Sequence, residues 1–247
     1  MCLSLPVIRG SSLSRQDGRE RRPAGRKPAG LDQQSSLGGG VMSSAFFGFF
    51  FLGSLDLQRV LGYGPMAIGL AFLPVAVVMA LFSIRFSALL IARFGAGAML
   101  GAGLVTALLA LTMVGLGPTN PNYFVYLLTP MVLFGLGGGL AFPALTMIAM
   151  ADVLPSEAGL ASGLLNTTGQ VGGAFGLAVL ATVAGARTVD LVRSGVDGQV
   201  ALAGGYHFAW LLGAGVVLVT LVIAGALLRS RPAAQPEAAL DEREAVA

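Results

Sequence analysis

Charge is what this sequence has least of. Only 11% of its 247 residues are Asp, Glu, Lys or Arg, less than half of the about 25% usual in soluble domains. A water-soluble fold of this size needs far more polar surface, so a soluble enzyme or binding domain is excluded. Cysteine and histidine are nearly absent as well, with Cys2 and His207 the single examples of each. That excludes a disulfide framework and any metal site made from Cys or His clusters, and no motif calls for a cofactor. The net charge of +3 is no sign of nucleic-acid binding. Seven of the 15 basic residues (Arg9, Arg15, Arg19, Arg21, Arg22, Arg26 and Lys27) crowd into the N-terminus, and the rest flank apolar runs instead of forming a basic face.

What remains is apolar and small. Hydrophobic residues make up 55% of the chain and 36 residues are glycine, for a mean hydropathy of +0.81. Residues 94–151, 158–186 and 198–228 contain no charge at all. Each run exceeds the ~20 apolar residues that a membrane-crossing helix needs. The chain reads as an all-α membrane protein, a bundle of six transmembrane helices in a lipid bilayer.

Residues 1–39 are rich in Arg, Ser, Gly and Pro and lack hydrophobic periodicity, the composition of a disordered arm. A weak apolar start precedes the basic residues, the reverse of a signal peptide, so neither cleavage nor export is expected. The six spans are expected at about 40–57, 65–92, 96–116, 123–150, 158–186 and 206–228. Pro74 and Pro143 fall inside the second and fourth. The run Gly117-Pro118-Thr119-Asn120-Pro121-Asn122 is a turn by composition, and residues 187–205 form a polar stretch between the last two spans. The tail, 230–247, is charged, Pro/Ala-rich and expected to be disordered.

Lys and Arg set the orientation, because they accumulate on the cytoplasmic side. An even number of spans puts both termini on one side. That side holds the seven N-terminal basic residues with Arg85, Arg93, Arg229, Arg231 and Arg243, whereas the other holds Arg59, Arg187 and Arg193. Both termini are therefore expected in the cytoplasm, with the chain in the cell membrane.

Glycines recur four apart at Gly97/Gly101, Gly135/Gly139, Gly159/Gly163, Gly169/Gly173 and Gly172/Gly176. Such pairs let helix backbones approach closely in lipid. They serve tight packing and, with two prolines to bend the spans, would also let helices rock and slide as a transporter half requires.

Polar chemistry inside the spans is sparse. Asp56 is the one acid touching a span, near the outward end of the first, with Arg59 at i+3. That spacing allows an interfacial ion pair; the alternative is a role at the extracellular mouth. No acid lies at mid-membrane, so proton coupling would need a titrating group outside these residues. On the fifth span Asn166 and Gln170 are four apart and share a helix face. Two carboxamides in a span must face another helix or a water-filled cavity, which leaves an interhelical hydrogen bond and a substrate contact both open. An intramembrane serine protease using Ser162 and His207 is excluded by length. The span between them separates them by roughly 36 Å at ~1.5 Å per residue, while a base must come within about 3 Å of its proton. His207 beside Tyr206 and Trp210 reads instead as an interfacial aromatic belt.

Three segments carry a resemblance. They are Leu55-Asp56-Leu57-Gln58-Arg59-Val60-Leu61-Gly62-Tyr63 with Ala67-Ile68-Gly69-Leu70-Ala71-Phe72-Leu73-Pro74; Leu133-Phe134-Gly135-Leu136-Gly137-Gly138-Gly139-Leu140-Ala141-Phe142-Pro143; and Glu157-Ala158-Gly159-Leu160-Ala161-Ser162-Gly163-Leu164-Leu165-Asn166-Thr167 with Gln170-Val171-Gly172-Gly173-Ala174. In this order and spacing, over about residues 43–229, the chain resembles the C-terminal half of the fourteen-helix drug:proton antiporters of the major facilitator superfamily. Three positions depart from that pattern. Asp56 stands where the family usually has Tyr, Ala96-Gly97 follow Arg93-Phe94-Gly95 where another basic residue is expected, and Gly169 stands where Arg is frequent. Residues 1–40 resemble nothing in the family, and the family's N-terminal half has no counterpart here.

The resemblance implies a proton-coupled multidrug efflux antiporter working by alternating access, of which this chain would be the C-terminal half. Its substrate would be a small lipophilic or cationic molecule. Asn166, Gln170, Phe142, Pro143 and Phe50 would line the substrate path, and Asp56, Arg59 and Arg93 would serve gating or ion pairing. A separate N-terminal half or second bundle would be its partner. The alternative is a truncated, non-transporting fragment or structural subunit.

Overall fold

The computed structural model describes residues 33–117, 127–151 and 153–230, with only the backbone described for 33–38 and 227–230. The N-terminal basic residues, the Gly-Pro-Thr-Asn turn beyond Gly117, Asp152 and the tail beyond Ser230 lie outside the described residues.

Seven α-helices follow one another: α1 (Gln33–Arg59), α2 (Pro65–Leu81), α3 (Ser87–Phe94), α4 (Ala96–Gly115), α5 (Leu128–Met150), α6 (Ala158–Arg193) and α7 (Gly198–Ser230). A five-residue π-helical turn, Phe82–Phe86, joins α2 to α3. The stretch Pro65–Phe94 therefore reads as one interrupted span, and among the described residues six helical segments are long and apolar enough to cross a membrane.

Local chemistry explains the boundaries. Pro65 opens α2 at its first turn, where a missing N–H costs nothing. Gly95 closes α3 and opens α4 with φ +84°, a left-handed conformation that a side chain would resist. At the α6–α7 hairpin Gly195 has φ +88°, and the Asp197 carboxylate accepts from the Gln199 and Val200 amides at 3.0 and 3.4 Å, a side-chain N-cap.

That hairpin corrects the expected outer loop over residues 187–205. The helices extend through most of it, because Gly204 and Gly205 pack against α6 at Leu191, Thr188 and the Ala184 carbonyl. Polarity there marks a solvated helix surface. At 36 residues, α6 is about 54 Å long and outruns the ~30 Å hydrocarbon layer. At the other end, α1 begins at Gln33, so residues 33–39 of the expected disordered arm are helical.

The helices pair as α1 with α6, α4 with α5, α2 with α5, and α7 with both α6 and α4. Aromatic packing ties α1, α5 and α7 together. Phe49 stacks on Phe134 at 3.9 Å and meets Trp210 edge-on at 5.6 Å. Tyr206 and Trp210 are buried in this core, which overturns their reading as an interfacial belt. Their large apolar faces fill the seam between α7 and α1.

Glycine sets the closest approaches. A Cβ on Gly172 of α6 would stand 2.5 Å from Gly40 Cα of α1, and one on Gly135 of α5 would stand 2.7 Å from the Val75 carbonyl oxygen of α2. Ser44 adds a bond across the first contact, its hydroxyl donating to the Gly172 carbonyl at 2.6 Å. Gly103 of α4 and Gly137 of α5 meet in the same manner. By contrast Gly159 and Gly163 face open space, so that pair packs nothing within the bundle.

Gly172→Ala should thus destabilise the bundle by about 1–3 kcal/mol, the cost of overpacking where backbone must move. Gly163→Ala should be neutral or stabilising, since alanine is the better helix former by ~1 kcal/mol. Thermal unfolding of both variants in detergent, followed by circular dichroism, checks the contrast.

Candidate functional site: an apolar cavity and an uncovered polar stripe

The C-terminal half of α5 and the π-helical turn frame an open cavity of about 710 Å3, lined by Ser83, Phe142, Pro143, Thr146, Met147, Met150 and Ala151. Two interruptions of helical regularity create it. Pro143 has no N–H to offer the carbonyl of Gly139, which removes one rung of the α5 ladder. Across from it the π turn widens the second span, a feature frequent at functional sites. Ser87 donates to the Ser83 carbonyl at 2.5 Å, satisfying the turn from within its own helix. Thr146 likewise donates to the Phe142 carbonyl at 2.9 Å. The lining combines one aromatic ring, two thioethers and two hydroxyls and carries no charge. Such a surface suits a lipophilic molecule and gives it few fixed hydrogen-bond demands.

Phe142 and Pro143, two of the expected path residues, meet in this cavity. Phe142 also packs edge-on against Phe46 of α1 at 5.4 Å. Phe50 is half-buried, stacked on Phe72 at 5.2 Å and tilted against Phe46 at 4.8 Å, so it backs the aromatic cluster and does not line the cavity. Ser83 and the two methionines were not legible as lining residues, because the π turn has no sequence signature.

Asn166 and Gln170 sit elsewhere, on a face of α6 that no helix covers among the described residues. Both are exposed, and among the described residues neither makes a side-chain hydrogen bond. The expected alternative of an interhelical bond inside the bundle is therefore not realised. Gly159 and Gly163 lie on the same uncovered side. The neighbouring hydroxyls of Ser162, Thr167 and Thr168 turn back onto their own helix carbonyls at 3.0, 2.8 and 2.8 Å, leaving the two carboxamides as the free polar groups of the stripe.

The charged residues divide between the two ends. Arg93 is exposed, its guanidinium 5.5 Å from the Phe94 ring, at the end opposite Asp56 and Arg59. Asp56 is buried, at 8% exposure. Among the described residues Arg59 makes no ion pair with it and is exposed. The i+3 spacing permitted the pair, but Asp56 is buried and Arg59 is exposed. No group of three or more His, Cys, Asp or Glu gathers among the described residues.

The described residues form a six-span helical bundle with glycine-set helix contacts, two proline-containing spans and an uncharged cavity. Residues 13–177 match the Major Facilitator Superfamily. The chain belongs to that family, one of membrane transporters and not of enzymes, and is a multi-pass membrane protein. The match reaches into residues 13–39, which the motifs alone had left outside the resemblance. Among curated proteins, the chain is 36% identical over 188 residues to the cephamycin export protein CmcT of Amycolatopsis lactamdurans, covering 74% of this chain and 37% of that protein. It is 34% identical over 204 residues to the puromycin resistance protein pur8 of Streptomyces alboniger, covering 80% and 41%. A probable actinorhodin transporter of Streptomyces coelicolor is 36% identical over 145 residues, covering 58% and 25%. The chain thus spans about two fifths of the length of the first two relatives.

Cysteines placed at Asn166 and Gln170 in a Cys2→Ser background should react with a maleimide several-fold faster than one at Leu180, which is buried at 7% exposure. Equal rates at the three positions, measured by mass shift on the purified chain, would place the stripe inside the bundle.

Proposed function

We propose that this chain is one six-helix half, the C-terminal one, of a proton-coupled efflux transporter that expels small lipophilic or cationic molecules by alternating access. The observation that carries this reading is the uncovered Asn166/Gln170 stripe. Two free carboxamides in a span are unfavourable against hydrocarbon, so they need a second bundle or a water-filled cavity opposite them. Alternating access supplies both, because two bundles rock about a shared central site. The cavity at Phe142 and Pro143 would add apolar wall to the path. Relatives named for cephamycin export and puromycin resistance support the efflux direction. The chain would lie in the cell membrane with both termini in the cytoplasm.

The test is reconstitution of the full chain in vesicles under a pH gradient, with a fluorescent lipophilic cation as probe. Gradient-driven movement is expected when a complementary six-helix bundle is co-reconstituted, and only leak without it. Movement driven by this chain alone would overturn the half-transporter reading. In the active pair, Gln170→Leu should change the range of accepted probes while protein abundance stays constant.

Orientation is checked separately in intact cells. Cysteines at Asn120 and Gly195 should react with an impermeant thiol reagent from outside, and one at Ser156 should not. Labelling at Ser156 but not at Asn120 would invert the proposed topology.

A further inference from the structure

We propose that Asp56 is a proton-binding site built into the seam between α1 and α7, so that this bundle carries a titrating acid of its own. The binding of the proton stands on geometry alone; its use in coupling rests on the transporter reading above.

Asp56 lies within a membrane span yet is 8% exposed, and an ionisable residue inside a span is retained for function more often than for packing. Its backbone carbonyl is occupied by the Val60 and Leu61 amides at 3.0 and 3.2 Å. Its carboxyl group has no hydrogen-bond or ion-pair partner among the described residues. The facing groups are few. On α1 itself Arg59 is exposed, and on α7 the buried Tyr206 lies within electrostatic range of both Arg59 and Asp56, with half-buried His207 beside it in sequence. The α1–α2 turn contributes Tyr63. From α6, Arg187, Asp190 and Arg193 stand at the same end but are exposed, and Arg187 lies over the Phe208 ring at 5.9 Å. Helices α2 and α5 carry no charged residue. No ion pair holds the Asp56 carboxylate among the described residues, so gaining or losing a proton changes the charge of the seam.

A second polar group completes the site. Trp210 Nε1 is a buried donor with no acceptor, on a side chain only 2% exposed. It stands one turn beyond Tyr206 on α7, and its ring lies 3.8 Å from where a Cβ on Gly53 would be, one turn before Asp56 on α1. Asp56, Tyr206 and Trp210 thus fall on successive turns of the two helices that meet here, with Phe49 packed edge-on against the Trp210 ring. The step is a simple transfer. A carboxylate oxygen takes a proton from water at that end of the bundle, becoming a neutral acid, and returns it to water later. No bond other than O–H forms or breaks, and no electron moves.

Trp210 is the single tryptophan of the chain and serves as the reporter. Its emission from the purified chain in nanodiscs should change with pH in one single-proton step. Asp56→Asn should abolish that step, Asp56→Glu should keep it with a displaced midpoint, and His207→Gln should leave it in place. No step in the wild type, a step surviving in Asp56→Asn, or its loss in His207→Gln would overturn the proposal. Should Asp56→Asn fail to fold by circular dichroism, Asp56→Glu decides, since an unmoved midpoint there also overturns it. None of these readouts needs transport. If gradient-driven movement is absent while the step behaves as expected, the transporter reading fails and the proton site stands.

Discussion

The backbone contact between Gly40 of α1 and Gly172 of α6 shows the constraint on which the bundle depends. In a bilayer, hydrocarbon solvates leucine as well as a neighbouring helix does, so helices hold together by close approach and by the few hydrogen bonds they exchange. The chain meets this with glycine wherever two backbones touch: Gly40 and Gly172, Gly103 and Gly137, and Gly135 against Val75. The Ser44 hydroxyl bridging to the Gly172 carbonyl adds a polar link that only such proximity permits. Once these seams are set, the aromatic cluster around Phe49 and Phe134 fills the space between them.

Against that tight frame, the interruptions stand out. The second span carries Pro74 and a π-helical turn, and the fourth carries Pro143. Each loosens the hydrogen-bond ladder locally, and two of them face one another across the cavity. Regular helices packed through glycine would leave no room there. The opening at Ser83, Phe142 and Met147 lies where the π-helical turn and the Pro143 segment come together.

Polar groups fall into three sorts. Most hydroxyls, such as Thr112 and Thr182, donate to carbonyls four residues back and are already satisfied within their own helices. Asn166 and Gln170 are unsatisfied on an uncovered face, which is a demand placed on whatever lies opposite. Asp56 and Trp210 are buried with unused hydrogen-bonding capacity between α1 and α7. The second and third sorts are where chemistry remains available.

Much of this was legible from residue order alone. The scarcity of charge and the long apolar runs dictate six membrane spans, because hydrocarbon tolerates little else, and the motifs around Gly135 and Gly163 point to the family. The i,i+4 spacing of Asn166 and Gln170 assigns them one face. What sequence could not supply is which neighbour each face meets. The Gly172/Gly176 and Gly159/Gly163 pairs look alike as text, yet one meets the α1 backbone and the other meets nothing. Asp56 and Arg59 had the spacing of a pair, but helix packing buries the first and leaves the second exposed. Tyr206 and Trp210 read as belt residues until α7 packed them into the core. Periodicity determines which residues share a face, whereas burial and partnership are set by helix-to-helix contacts between residues far apart in the chain, and only the tertiary structure decides those.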